Sequence, residues 1–167
     1  MFGKISIIGC GLIGSSILRA AQEKKLATKI SVYDKSNKVI EYLKKNFTAD
    51  ICSNVSETTK DADLIIISAP LSSYKEILLS IKSTLKEGSI LTDTGSAKKE
   101  VNKIVNNLGL KNISWIASHP IAGTEYSGPA AGFSSLFKNR WCILSADNQV
   151  SKDKIENLEK FWSKLGS

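Results

Sequence analysis

The chain's only histidine, His119, stands in the segment SHPIAGTEYSG (118–128), followed at once by Pro120 and then by small, polar and glycine residues. A lone histidine is ordinarily a surface or packing side chain. Histidine also changes charge near neutrality and so suits general acid–base work. A group that takes hydride from a carbinol carbon needs a base for the hydroxyl proton, and a neighbouring hydroxyl can bond the same oxygen and fix its place. Ser96, in DTGSAK (93–98), is the candidate for that hydroxyl. Its plainer reading is the N-cap of a helix beginning at Ala97, and the two roles can coexist because a cap can orient the side chain.

A second constellation opens the chain. In GCGLIG, Gly9, Gly11 and Gly14 follow a predicted strand and begin a predicted helix. The first glycine permits a tight turn, the second lets a pyrophosphate approach the main chain, and the third lets helix and strand pack closely. Free N–H groups near Leu12 and Ile13 can hold phosphate with help from the helix dipole. Asp34 ends the next predicted strand, about twenty residues beyond Gly14, the spacing of an acid that binds the adenosine ribose. Its carboxylate would repel a 2′-phosphate, so NAD is expected over NADP, although Lys35 and Ser36 beside it could soften that repulsion.

These residues need elements to carry them. Strands are expected at 4–9, 29–34, 64–68, 89–93, 113–118 and 140–146, and helices at 12–25, 38–46, 72–88, 97–109 and 152–166. In the 72–88 helix, Tyr74, Ile77, Leu78, Ile81 and Leu85 share a face, with Ser72 or Ser73 as N-cap and Gly88 at the stop. Continuous apolar runs such as LIIIS suit strands covered on both faces, so alternating β and α predicts a Rossmann-type α/β domain over 1–167: a doubly wound, mostly parallel sheet with helices on both faces. Ligands in such sheets sit at the carboxyl ends of the strands, near the topological switch point. SAP (68–70, with Ser68 and Pro70), DTGSAK and SHPIAGTE are three such exits, expected to converge beside a nicotinamide. The glycine-rich stretch 118–135 is the one long irregular segment, a length more often functional than idle.

Bulk properties exclude other classes. No stretch approaches the roughly 20 apolar residues of a membrane helix, and the start MFGKISIIGCG does not read as a signal peptide, so a cytoplasmic protein is expected. The net charge of +7 is nearly all scattered lysine, often beside glutamate, with no basic stripe interleaved with aromatics, so nucleic acid is not an expected partner. Cys10, Cys52 and Cys142 are far apart and set in apolar sequence. With one histidine they assemble no zinc-ligand spacing, and no metal is expected.

GCGLIGSS, DTGSAK, SHPIAGTEYSGPAAG and LF…RWCIL together resemble the prephenate/arogenate dehydrogenase family of tyrosine biosynthesis, from residue 4 to the end. The resemblance implies oxidative decarboxylation of prephenate to 4-hydroxyphenylpyruvate, or of arogenate to tyrosine, with NAD(P). It implies that His119 accepts the ring hydroxyl's proton, that Ser96 bonds the same hydroxyl, and that hydride passes to the nicotinamide as the ring carboxylate leaves. Thr124 and Glu125 match the family's loop and are expected to line the substrate entrance. Lys98 matches a family position but acquires no role from the sequence. Family members carry a further helical domain that supplies the dimer interface and an arginine for a substrate carboxylate. This chain has no segment matching that domain, and neither Arg19 nor Arg140 lies in a matching stretch. A homodimer is therefore expected only with the further domain; exposed apolar surface around Phe161 and Trp162 would fit a missing neighbour, and simple core packing is the equal reading of the same stripe. Another oxidoreductase of the same fold, acting on a hydroxyacid or imine, and a non-catalytic NAD-binding module are the alternatives.

Overall fold

The run LIII at Leu64–Ile67 forms strand β4 with all four side chains buried, as a strand covered on both faces requires. The computed structural model describes residues 1–110 and 112–167. Its first half contains β1 (Phe2–Ile8), α1 (Leu12–Glu23), β2 (Ala27–Tyr33), α2 (Asn37–Asn46), β3 (Asp50–Ile51), α3 (Val55–Thr59) and β4. Its second half contains α4 (Tyr74–Ile81), β5 (Ile90–Asp93), α5 (Lys98–Leu108), β6 (Ser114–Pro120), β7 (Cys142–Ala146) and α6 (Lys152–Leu165).

The strands form one sheet in the order β3-β2-β1-β4-β5-β6-β7. All neighbours pair in parallel except β7, which runs antiparallel to β6. Chain order reverses between β1 and β4, which makes that gap the switch point where the carboxyl ends part. One apolar cluster joins β1, α1, α2 and α6 through Ile7, Leu18, Leu43 and Trp162. A second, on the other face, joins α4 and α5 through Leu78 and Val101. The expected doubly wound fold is present.

Several expectations are corrected. The helix drawn to 88 ends at Ile81, because the Thr84 hydroxyl donates to the Ile81 carbonyl at 3.0 Å and closes the last turn. Gly88 instead takes a positive φ of 74° in the turn into β5. Ser96 does not cap α5: Ala97 holds the N-cap position and makes no side-chain cap bond. His119 is not past the end of its strand but inside β6, paired with Ile143 of β7. Phe161 and Trp162 are each only 2 % exposed, so they are core, and large exposed apolar side chains lie instead at Trp141 and Ile143. The short elements β3 and α3 were not expected. They have too few residues for a period to emerge, although Asn54, whose Oδ1 accepts from Glu57 N at 2.8 Å, is a recognisable cap.

Candidate cofactor cradle and the β5–β6 exit

A cavity of about 620 Å³ opens at the carboxyl ends of β1 and β4, and the glycines of the first turn explain its shape. Gly9 has φ of 89°, and a Cβ there would lie 2.5 Å from the Ser68 carbonyl oxygen, so β1 turns hard against the exit of β4. A Cβ on Gly14 would come within 2.0 Å of the Gly9 oxygen, which is how closely α1 packs on the turn. Gly11 is different: no atom lies within 4 Å of its Cβ position, so its exposed face belongs to the cavity. It is also the N-cap of α1, with no side-chain cap and no acid in the first turn. The helix start therefore offers uncapped N–H groups and the positive end of its dipole to an anion.

Gly9, Gly11, Leu12, Ile13, Asp34, Ser68 and Pro70 all line the cavity, as expected. Gly14 does not, and its contribution is the packing beneath. The Asp34 carboxylate is anchored from both sides, Oδ2 accepting from Cys10 N at 2.8 Å and Oδ1 from Ser36 N at 2.9 Å. Each oxygen keeps a further lone pair for a ribose hydroxyl. Lys35 lines the same wall. Sequence reasoning missed Val55, Ile77 and Ser80 as lining, and reached Thr94 and Gly95 only as part of the DTGSAK exit. Ile77 had been assigned only to the core, and its helical spacing could not reveal that it also borders an opening; Val55 sits on the unexpected α3. A dinucleotide fits this donor set: open N–H groups for phosphate, a carboxylate for ribose, and apolar walls from Val55 and Ile77.

The three strand exits are linked, though not all through the cavity. The Thr94 hydroxyl donates to Ser68 Oγ at 3.1 Å, tying the second exit to the first. Ser96 follows directly and is exposed. His119 is half-buried and lies outside the cavity lining, as do Thr124 and Glu125, both exposed in the loop after β6. Among the described residues neither the His119 ring nor Ser96 Oγ hydrogen-bonds a protein group. Neither arginine reaches the cavity, and Arg19 stacks over Phe47, 4.7 Å from its ring centre.

Between the second and third exits lies a buried polar cluster. Asp93 is fully buried at the end of β5. Its Oδ1 accepts from Lys98 Nζ at 2.5 Å and from Ser118 N at 3.2 Å. Its Oδ2 accepts from Gly95 N at 3.1 Å and from the Tyr74 hydroxyl at 3.3 Å. Lys98 Nζ also donates to the Ser118 carbonyl. Burial pulls the Lys98 ammonium below the ordinary lysine range while Asp93 pulls it back up. Burial, joined by the Asp93 charge, pushes the Tyr74 phenol well above its usual value. Burial likewise pushes the Cys142 thiol up to about 12, and the Cys10 thiol above its usual value, so both stay protonated near neutrality. No helix among the described residues is long and apolar enough to cross a membrane.

Comparison with known proteins agrees with this geometry. Residues 17–167 match the family model described as prephenate dehydrogenase, nucleotide-binding domain. A cyclohexadienyl dehydrogenase of Zymomonas mobilis is 34% identical over 99% of this chain and 57% of its own length. A prephenate dehydrogenase of Lactococcus lactis is 34% identical over 93% of this chain and 44% of its own. In fold, the chain is similar to prephenate dehydrogenase from Aquifex aeolicus, solved in complex with hydroxyphenyl propionate and NAD+, with a TM-score of 0.85 at 24% identity over 99% of this chain and 58% of that one. The chain spans about half the length of the curated relatives it matches. With the cradle, the sheet order and the matched residues in agreement, the chain belongs to the prephenate dehydrogenase family, in the part that the family model describes as its nucleotide-binding domain.

Proposed function

We propose that this chain is the cofactor-binding part of a cytoplasmic dehydrogenase that oxidatively decarboxylates prephenate to 4-hydroxyphenylpyruvate, or arogenate to tyrosine, with NAD. The observation that carries the reading is the position of His119: it stands on the strand exit next but one to the cradle wall, joined to that wall through Asp93. Bound NAD would supply the hydride acceptor. The N–H groups at the start of α1 bind its pyrophosphate, and Asp34 accepts from the ribose hydroxyls. The same carboxylate disfavours a 2′-phosphate, which supports NAD over NADP. The His119 ring takes the proton of the substrate's hydroxyl, and Ser96 Oγ bonds the same oxygen and orients it. Thr124 and Glu125 border the substrate's entry. A dicarboxylate needs a cation as well. That grip, together with the dimer interface, belongs to a further domain outside these residues.

The test has two stages. Titration of NAD and NADP, followed by tryptophan fluorescence, should give tighter binding of NAD; equal affinities would remove the role given to Asp34. Prephenate, arogenate and a simple 2-hydroxy acid are then offered while the absorbance of reduced cofactor is followed, with and without the C-terminal domain of a relative. Turnover of prephenate or arogenate is expected, poor from the chain alone and raised by the added domain, and His119→Asn should reduce it by roughly 10²–10⁴-fold with NAD affinity unchanged. Turnover of the 2-hydroxy acid alone, or binding with no turnover in any arm, would overturn the assignment.

A further inference from the structure

Ser118, the residue before His119, has every polar atom occupied. Its N–H donates to Asp93 Oδ1 at 3.2 Å, and its carbonyl accepts from Lys98 Nζ. Its hydroxyl pairs with Thr92 Oγ1 at 2.6 Å and accepts from Trp162 Nε1 at 3.2 Å. The two main-chain bonds lie on consecutive peptide planes. The carbonyl that Lys98 holds belongs to the plane joining Ser118 to His119, so fixing it fixes the φ axis about which His119 turns. Lys98 and Asp93 are themselves bound to each other at 2.5 Å, which closes the ring of contacts.

The location of this ring is informative. The parallel ladder between β5 and β6 extends only through Ile90↔Ser114 and Leu91↔Trp115. Beyond Leu91 the two strands pair no further, and the Asp93 and Lys98 side chains do for Ser118 what a neighbouring main chain would otherwise do. Side chains alternate across a sheet. Ser118 turns its hydroxyl to Trp162 of α6, so His119 points to the opposite face, the one where Trp115 donates to Asn102 of α5. A buried ion pair is at best weak glue, since its desolvation offsets its attraction. Its use here is geometric.

We propose that Asp93 and Lys98 are positioning residues, a clamp that holds the Ser118–His119 main chain so that the imidazole keeps one orientation across the gap between β5 and β6. The inference deepens the dehydrogenase reading and rests on it for its functional meaning, but the clamp itself is measurable without turnover. Neither residue needs to touch substrate or cofactor; each acts through the strand.

Because the chain has one histidine, its ring gives a single identifiable set of nuclear magnetic resonance signals, read with and without NAD. The variants are Lys98→Met, the uncharged double variant Asp93→Asn/Lys98→Met, and Lys98→Arg as the conservative replacement. In Lys98→Met and the double variant the ring signals should move and broaden while NAD affinity stays within about twofold. Where substrate is turned over, kcat should fall by about a hundredfold, the order of loss that a small misplacement of a reacting group produces. Lys98→Arg should return the signals toward those of the unaltered protein. Ring signals superposable on the unaltered protein's in both uncharged variants would overturn the clamp. In the unaltered protein the Ser118 amide should exchange its hydrogen as slowly as that of Ile116, and exchange at the rate of the following loop would also overturn it, even if no variant folded. Absence of turnover in the unaltered enzyme would count against the dehydrogenase reading alone, because the ring and exchange measurements decide the clamp separately.

Discussion

Around Gly11 the protein presents bare main chain to the cavity, whereas around His119 it grips main chain with buried side chains. The first region is an opening made by leaving atoms out: no Cβ on Gly11, no side-chain cap on α1, and a turn that closes only because Gly9 and Gly14 are small. The second is a filled region in which Asp93, Lys98, Tyr74, Thr92 and Trp162 converge on one stretch of β6. A polyanionic cofactor can be held by dipoles and vacancy. A proton acceptor must be aimed, and aiming requires fixed neighbours.

The contrast can be broken most forcefully at the glycines. Gly14→Ala puts a methyl 2.0 Å from the Gly9 oxygen, a clash with main chain that no rotamer relieves. Thermal or urea unfolding should show a loss of about 3 kcal/mol, the upper range of overpacking, with NAD binding lost alongside. Gly11→Ala meets no protein atom, and its φ of −70° is open to alanine. Stability should stay within about 0.5 kcal/mol, while the Kd for NAD rises about tenfold or more, close to 1.4 kcal/mol. Equal destabilisation by the two substitutions would show that the opening at Gly11 is not reserved for a ligand.

The two regions also differed in how far the sequence disclosed them. Gly9, Gly11, Gly14 and Asp34 belong to one βαβ unit, so their spacing along the chain is nearly their arrangement in space: Gly9 and Gly14 make the tight turn and close packing their places in the motif predict, and Gly11 faces the cavity. A mostly parallel sheet with helices on both faces was within reach of apolar patterning, whereas the order of the strands and the antiparallel run of β7 emerge only from the pairing. The clamp was not. Lys98 could be singled out by resemblance, yet its acceptors are Asp93 at the end of its own loop and a carbonyl on the next strand, joined only once β5, α5 and β6 assemble. The plainer of the two readings of Ser96, a helix cap, rests on serine before a helical run being the usual signal, and it does not hold. Here the chain bends one residue later, and Ala97 takes the cap position. Of the two readings of the aromatics on α6, exposed or packed in the core, the second holds. A stripe says which face is buried but not against what, and Trp162 packs edge-on to Phe137, 5.5 Å between ring centres, inside the same domain.

Trp162→Phe sharpens the comparison on the filled side. It removes the indole N–H that donates to Ser118 Oγ at 3.2 Å, but Thr92 still pairs with that hydroxyl at 2.6 Å, so nothing is orphaned. The cost in urea unfolding should be about 1 kcal/mol. The His119 ring signals should shift less than in Lys98→Met, because both main-chain contacts of Ser118 survive. A shift as large as that of Lys98→Met would mean that the hydroxyl side, rather than Asp93 and Lys98, governs the strand.

The smallest effect belongs to a second aspartate–lysine pair, at the opposite end of the sheet. Asp63, just before β4, binds Lys86 Nζ at 2.6 Å and accepts from Lys4 N at 3.0 Å. Partial burial alone would raise its carboxyl, but the Lys86 ammonium and the N–H groups of Lys4 and Gly3 outweigh it and hold the group below the usual carboxylate range. A depressed carboxyl stabilises the fold at every pH above its unfolded value of about 3.9. That contribution is lost as pH falls through the lower folded value. Asp63→Asn lacks it throughout. Urea unfolding should therefore find the variant less stable at pH 6, by less than Trp162→Phe costs, with the gap closing below pH 4. Here the pair is half open to water: the Lys86 and Asp63 side chains are 49% and 30% exposed, against 23% and 0% for Lys98 and Asp93. Water can replace either partner at Asp63, so the pair adds a little stability and fixes nothing. A gap that instead widened in acid would mean the carboxylate is held less favourably in the fold than in the open chain.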